Sequence, residues 1–331
     1  MPRPSPSVLP PPFSALRGER RVPRCVIALS FPVLPTRKGL MTALGVVFRP
    51  QLPPERLRAV ARLADEVGLE EELWLWEDCF LEGGVSMAAA ALAWTERVRI
   101  GIGLLPVPLR NVAVTAMEAA TLERLFPGRA VLTVGHGVQD WMGQVGARAD
   151  SPLGLLGEHL DALRALLRGE RVSVRGRYVR LDDVALDWPP RRPVDVLAGG
   201  TGPRTLRLSG AKADGTLLTA ATSVDGVRRA RRLAEEGRRE AGRDGHHRVV
   251  VYLLAATGAG ADARLRAELA AEGVASVPDV GVAGDAAAVA GAVRRLAEAG
   301  ADTVVLQPTA DEPDPEGFVR FAAEEVRPLL P

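Results

Sequence analysis

Between Val98 and Gly137 the chain reads VRIGIGLLPVPLRNVAVTAMEAATLERLFPGRAVLTVGHG, and its hydrophobic period changes twice along the way. Val98, Ile100, Ile102 and Leu104 alternate as on a strand, and a kink at Leu105, Pro106, Val107 and Pro108 follows. Val112, Met117, Ala120, Leu122 and Leu125 then recur at helical spacing, and Pro127 and Gly128 close that run before a second β-rich stretch, Ala130 to Val134. Strand, crossover helix and parallel strand make the repeating step of α/β folds. The second strand runs into Gly135, His136 and Gly137, where backbone lacking side chains lets a ligand come close.

The same alternation continues on both sides. Strands are expected at Ala43–Phe48, Leu73–Glu77, Val194–Ala198, Gly215–Thr219, Arg248–Ala255 and Thr303–Gln307. Helices are expected at Pro53–Val67, Val85–Trp94, Leu153–Leu167, Pro203–Ser209, Val224–Ala241, Ala261–Glu272, Asp285–Ala299 and Pro315–Leu329, with a polar loop over Val138–Asp150. Val172–Asp187 alternates about a glycine and reads as an inserted β-hairpin. Eight strands alternating with helices predict a (β/α)8 TIM barrel, whose working face is the set of loops after the strands. An open doubly wound sheet usually has a Gly-x-Gly-x-x-Gly after its first strand, and here Arg49, Pro50 and Gln51 stand there.

Composition bears on the ends and on partners. Residues 1–40 hold nine prolines, no sustained period, seven basic residues and one acid, and are expected to be a disordered or over-extended tail ahead of a single barrel domain over 41–331. Taking that segment from the totals of 42 basic and 41 acidic residues leaves 35 against 40, a net charge of −5, which argues against a nucleic-acid partner. No run approaches the ~18 apolar residues of a membrane span. Two cysteines, Cys25 and Cys79, make no disulfide framework, so a cytoplasmic setting is expected.

Three stretches could carry chemistry. Gly199, Gly200, Thr201, Gly202, Pro203, Arg204 and Thr205 follow a strand and open a helix, where converging amides favour a phosphate; a plain strand-to-helix turn is the other reading. Gly135, His136, Gly137 and Trp141 put hydrogen-bonding groups beside an aromatic, as a flat ring requires, although His136 could equally be a structural hydrogen-bonding group. Glu77 and Asp78 end a strand as adjacent carboxylates, either a candidate acid or a solvated loop. Trp74, Trp76, Trp94 and Trp141 are candidates for walling a planar ligand, with core packing the alternative for Trp94. No metal, Walker or serine-hydrolase motif is present.

The phrase LERLFPGRAVLTVGHGVQDW resembles the signature of luciferase-like monooxygenases, with Glu118, Leu122, Leu125, Gly128, Arg129, Gly135 and Gly137 at matching positions. WLWEDCFLEGG and PVPLRNVAVTAMEAATLERL resemble the coenzyme F420-dependent branch, which includes methylene-tetrahydromethanopterin reductase. The resemblance implies hydride transfer between F420 and an organic small-molecule substrate, with a homodimer usual. Residues 199–205 would hold the cofactor's phosphate, and Gly103, Leu104 and Leu105 would back its ring at a cis peptide near Gly103–Leu104. His136 and Gly137 would touch the ring's edge. Relatives commonly carry an Asp-His pair where Glu77 and Asp78 stand; the histidine is missing, leaving either carboxylate as the acid. An FMN-dependent monooxygenase, which needs a flavin reductase partner, a non-catalytic deazaflavin- or flavin-binding barrel, and an unrelated barrel isomerase or aldolase are the alternatives.

Overall fold

Strands β1 (Ala43–Val47), β2 (Glu72–Leu75), β3 (Ile100–Pro106) and β4 (Ala130–Gly135) pair in parallel and in sequence order. A separate antiparallel hairpin, β5 (Val172–Arg175) and β6 (Arg180–Val184), interrupts the series where the alternation about Gly176 predicts it. β7 (Val196–Gly199), β8 (Gly215–Leu218) and β9 (Arg248–Ala256) resume it. A three-residue strand, β10 (Gly281–Ala283), adds to the end of β9, and β11 (Thr303–Pro308) pairs with both β9 and β1, closing an eight-stranded parallel barrel. This computed structural model describes residues 42–69 and 72–331, so the expectation for residues 1–40 lies outside the described residues.

Alternation across the strands builds two apolar layers. One set of residues, including Trp74, Leu197, Val250, Tyr252 and Val305, fills the barrel, and the other packs strands against helices. The glycines of Ile100-Gly-Ile-Gly belong to the first layer: a Cβ on Gly101 would run into the Trp74 ring. Trp74 is therefore interior packing, and Trp94 ends α2 (Gly84–Trp94) with Arg58 over its ring at 5.7 Å, so neither walls the mouth.

The outer helices begin where capping chemistry allows. α3 (Val112–Leu125) starts at Asn111, whose side chain accepts from the Ala113 amide at 2.9 Å. The Gly-Arg pair of the signature braces the barrel wall, because Arg129 donates to the carbonyls of Thr95 and Val98 at 2.9 and 3.0 Å and so ties the end of α2 to the start of β3.

Two expectations need correction, the polar loop and the last helix. The polar loop contains α4 (Gln139–Gln144), and β10, which no expectation covered, is too short to show a period. α8 (Ala261–Ala271) packs Leu265 and Leu269 against the barrel's interior layer, leaving α9 (Ala286–Glu298) as the crossover helix before β11. The last helix is composite: α10 (Pro315–Arg320) runs into a π-turn over Phe321–Val326 and a 3₁₀ turn over Arg327–Leu329. Among the described residues no helix is long and apolar enough to cross a membrane.

Candidate functional site

The strand ends at one face of the barrel enclose a cavity of about 390 Å³. β2 leads into Trp76, Glu77 and Asp78, and β3 contributes Gly103 and Leu104 where its register against β4 shifts between Ile102 and Leu105. The loop after β4 supplies His136, Gly137 and Val138, α4 supplies Trp141, and Gly199 and Gly200 stand at the end of β7. All three stretches singled out in the sequence thus converge. The Gly103–Leu104 peptide is cis, as the resemblance implies. A more open cleft of about 610 Å³ beside the starts of α8 and α9 shares no lining residue with this cavity.

Glycine positions shape one wall. Gly135 and Gly199 sit opposite each other on β4 and β7, and a Cβ on Gly135 would come 2.6 Å from Leu104 Cδ2, with one on Gly199 closer still. The two glycines leave a notch, and the Leu104 side chain fills it. Tyr252 Oη donates to the Gly103 carbonyl at 3.2 Å, and a Cβ on Gly103 would strike that hydroxyl. Leu105, expected to back a ring, is buried instead in the layer between strands and helices.

Beyond Gly200 the chain enters α6 (Pro203–Lys212). Its N-cap, Gly202, provides no side-chain cap, and Pro203 occupies the first turn, so amides at the helix start remain available to an anion. Thr201, Gly202 and Arg204 are exposed at the rim, outside the cavity's lining. Thr205 holds His136: its Oγ1 lies 3.0 Å from His136 Nε2, linking the loop after β4 to the start of α6. Burial pushes the His136 pKa below its ordinary value, with the Pro152 carbonyl opposing, so the ring is neutral near pH 7.

The carboxylates divide by partner. Glu77 receives Arg110 Nε at 3.1 Å and Nη2 at 2.6 Å, and the Gly84 amide at 2.8 Å; Arg110 also donates to Glu118 at 2.8 Å. Glu77 is therefore engaged in holding the start of α2. Burial raises the Asp78 pKa, with Arg49 opposing. Arg49 lies against the same region, 5.1 Å over the Trp76 ring, with Nη2 on Glu268 at 2.8 Å. Glu272, after α8, also lines the cavity and accepts from Gln307 Nε2 at 3.1 Å; burial raises its pKa.

Glu82 was missed in the sequence, although it is a third acid in the loop that carries Glu77 and Asp78. It is 8% exposed with Oε1 lacking a hydrogen bond, and burial, then the Asp78 charge, raise its pKa from 4.5 to about 7. A carboxyl raised in the folded state contributes fully below pH 4.5 and loses that contribution as pH climbs through 7, here about 3 kcal/mol. His159 and His247, lowered by burial to about 4, act oppositely, losing stability as pH falls from 6.5. Chemical denaturation at pH 5.5 and pH 8 is expected to show wild type losing more stability toward alkaline pH than Glu82→Gln; equal losses would contradict the assignment.

Tyr252 left a sequence signal, a lone phenol in the apolar run RVVVYLLAA, whereas Glu272 and Gln307 left none. Among the described residues no group of His, Cys, Asp or Glu could hold a metal.

Comparison with known proteins places this geometry. A 5,10-methylenetetrahydromethanopterin reductase of Methanolobus tindarius is 29% identical over 201 residues, 60% of this chain and 60% of that protein. An F420-dependent glucose-6-phosphate dehydrogenase of Nakamurella multipartita is 33% identical over 193 residues, 51% of this chain and 53% of that one. The matches to the curated relatives span between 45% and 60% of the relatives' own length. The fold matches an F420-dependent secondary alcohol dehydrogenase, solved with an F420-acetone adduct, at a TM-score of 0.77 and 22% identity, covering 87% of this chain and 99% of that one. The family description luciferase-like monooxygenase matches residues 33–312, and with the barrel and its signature residues in place the chain belongs to that family.

Proposed function

We propose that the protein is an oxidoreductase that binds coenzyme F420 and moves a hydride between it and an organic substrate. The observation that carries the reading is the cavity itself: a notch-seated Leu104 on one wall, glycines at two strand ends, and an uncapped helix start at its edge. These features fit a flat ring with an anionic tail. Gly103 and Leu104 would back the ring, Gly137 and Trp141 would flank it, and the amides of Thr201, Gly202, Arg204 and Thr205 would hold the phosphate. His136 acts through Thr205, fixing the phosphate loop. The bound coenzyme would supply the hydride chemistry; the chain's part is to orient, to exclude water and to manage a proton. Asp78 is the residue for the proton, because it lines the cavity, is half-buried and has no ion-pair partner as close as the one that engages Glu77.

The names of the relatives favour F420 over FMN. Parallel titrations of the purified protein with F420 and FMN, read by tryptophan quenching, test the choice. Saturable binding of F420 in preference to FMN is expected. Preferential FMN binding would replace the reading with the monooxygenase and its flavin reductase partner, and F420 binding without turnover on any substrate would favour the non-catalytic barrel.

The reading includes a cytoplasmic homodimer. Val114, Met117 and Leu125 form an exposed apolar stripe on α3, which a second copy would cover. Sedimentation velocity is expected to give a dimer for wild type and a monomer for Met117→Glu; a wild-type monomer would remove the dimer.

A further inference from the structure

The cavity's charges are one-sided. Among the described residues three carboxylates line it, Glu77, Asp78 and Glu272, and no lysine or arginine does. Glu77 is neutralised by its bidentate pair with Arg110, which leaves the half-buried Asp78 and the exposed Glu272 as the other acids of the lining. The one cation acting on both is Arg49, only 5% exposed and already committed to Glu268 and, at 3.1 Å, to Gln51. One guanidinium shared among three acids leaves this end of the cavity negative. Arg49 is not among the lining residues and its Nη1 is buried, so it presents no charged donor to a molecule in the cavity.

We infer that the substrate end of the cavity selects a hydroxyl- or amine-bearing molecule carrying no negative charge. This rests on the proposed hydride-transfer reading for the word substrate, but the charge selection stands on the lining alone. A hydroxyl can donate to Asp78 or Glu272, and an amine can donate to both acids. A phosphate or carboxylate would bring like charge beside the half-buried Asp78 and the exposed Glu272, with no cation among the described lining residues to receive it. Trp76 and Tyr252, with ring centroids 5.5 Å apart, provide apolar wall for the rest of the molecule.

Four probes on one skeleton test this: benzyl alcohol, benzylamine, benzoate and phenyl phosphate, titrated calorimetrically at pH 7 into F420-loaded protein and into protein alone. The alcohol or the amine is expected to bind at least about tenfold tighter than either anion, and the gap should shrink to about twofold in Asp78→Asn/Glu272→Gln. If that variant does not fold, raising the salt concentration on wild type should narrow the gap instead. Anions binding as well as the alcohol and amine, a gap indifferent to both the variant and salt, or no binding by any probe would overturn the inference. If F420 fails to bind but the order holds in protein alone, the coenzyme reading falls and the charge selection survives.

Discussion

Gly199→Val is expected to weaken F420 binding by about five- to 150-fold, the equivalent of about 1–3 kcal/mol for overfilling a packed site. A Cβ at this position would collide with Leu104 Cδ2 and lie 3.8 Å from Thr133 Cγ2, so the methyls of valine take the space that Leu104 now fills. Neighbouring strands confine the notch, and the open direction for Leu104 is into the cavity, where the ring is proposed to lie. The same reasoning predicts rescue: Leu104→Ala in the Gly199→Val background should recover most of the affinity, because the smaller side chain no longer has to leave the notch. Titration of the single and double variants checks both parts. Additive losses, with no recovery, would mean that Gly199 acts by some route other than Leu104.

Arg248→Leu is expected to destabilise the protein by about 3–5 kcal/mol, the range for removing one partner from a buried ion pair. Glu72 is wholly buried at the start of β2, where Arg248 and Arg99 pair with it and Trp74 Nε1 donates to it at 2.9 Å. Arg248 is also the donor to Thr303 Oγ1 at 2.8 Å, so it joins β9, β11 and β2 near the strand starts. Its loss leaves a carboxylate in the barrel with a single, more exposed guanidinium. Urea denaturation of Arg248→Leu and of Glu72→Leu/Arg248→Leu separates the effects: the double variant should regain a large part of the loss, since apolar side chains replace the pair without stranding a charge. A single variant within 1 kcal/mol of wild type would show that the pair is dispensable, by the ~3 kcal/mol lower bound of that range.

The barrel was legible because each strand is an apolar run bounded by glycine, proline or a cap. The 112–125 helix is the clearest case, opening at Asn111 and ending at Phe126 just before Pro127 and Gly128. What escaped were features without a local signature. α4 has no side-chain cap and only six residues, and β10 has three. α8 sits over the mouth because Glu268 meets Arg49, a partner 219 residues away that no periodicity can announce.

The site divides in the same way. Glycine at 135, 199 and 200 could be read as room for a ligand, yet at 135 and 199 the room is first used by Leu104. Glu77 looked like half of an acid pair because Arg110, 33 residues on, is invisible to local reading. Asp78 and His136 line the cavity, and His136 there meets Thr205, a residue singled out for a different reason. Arg49 and Glu272 come from separate elements and had to be found in space.

Hydrogen exchange of backbone amides, with and without saturating F420, tests most directly the claim that this cavity is the coenzyme site. Protection should appear at residues 135–141 and 199–205 and around Gly103. Binding that protects the open cleft at residues 257–263 while leaving those segments unchanged, or no binding at all, would contradict it.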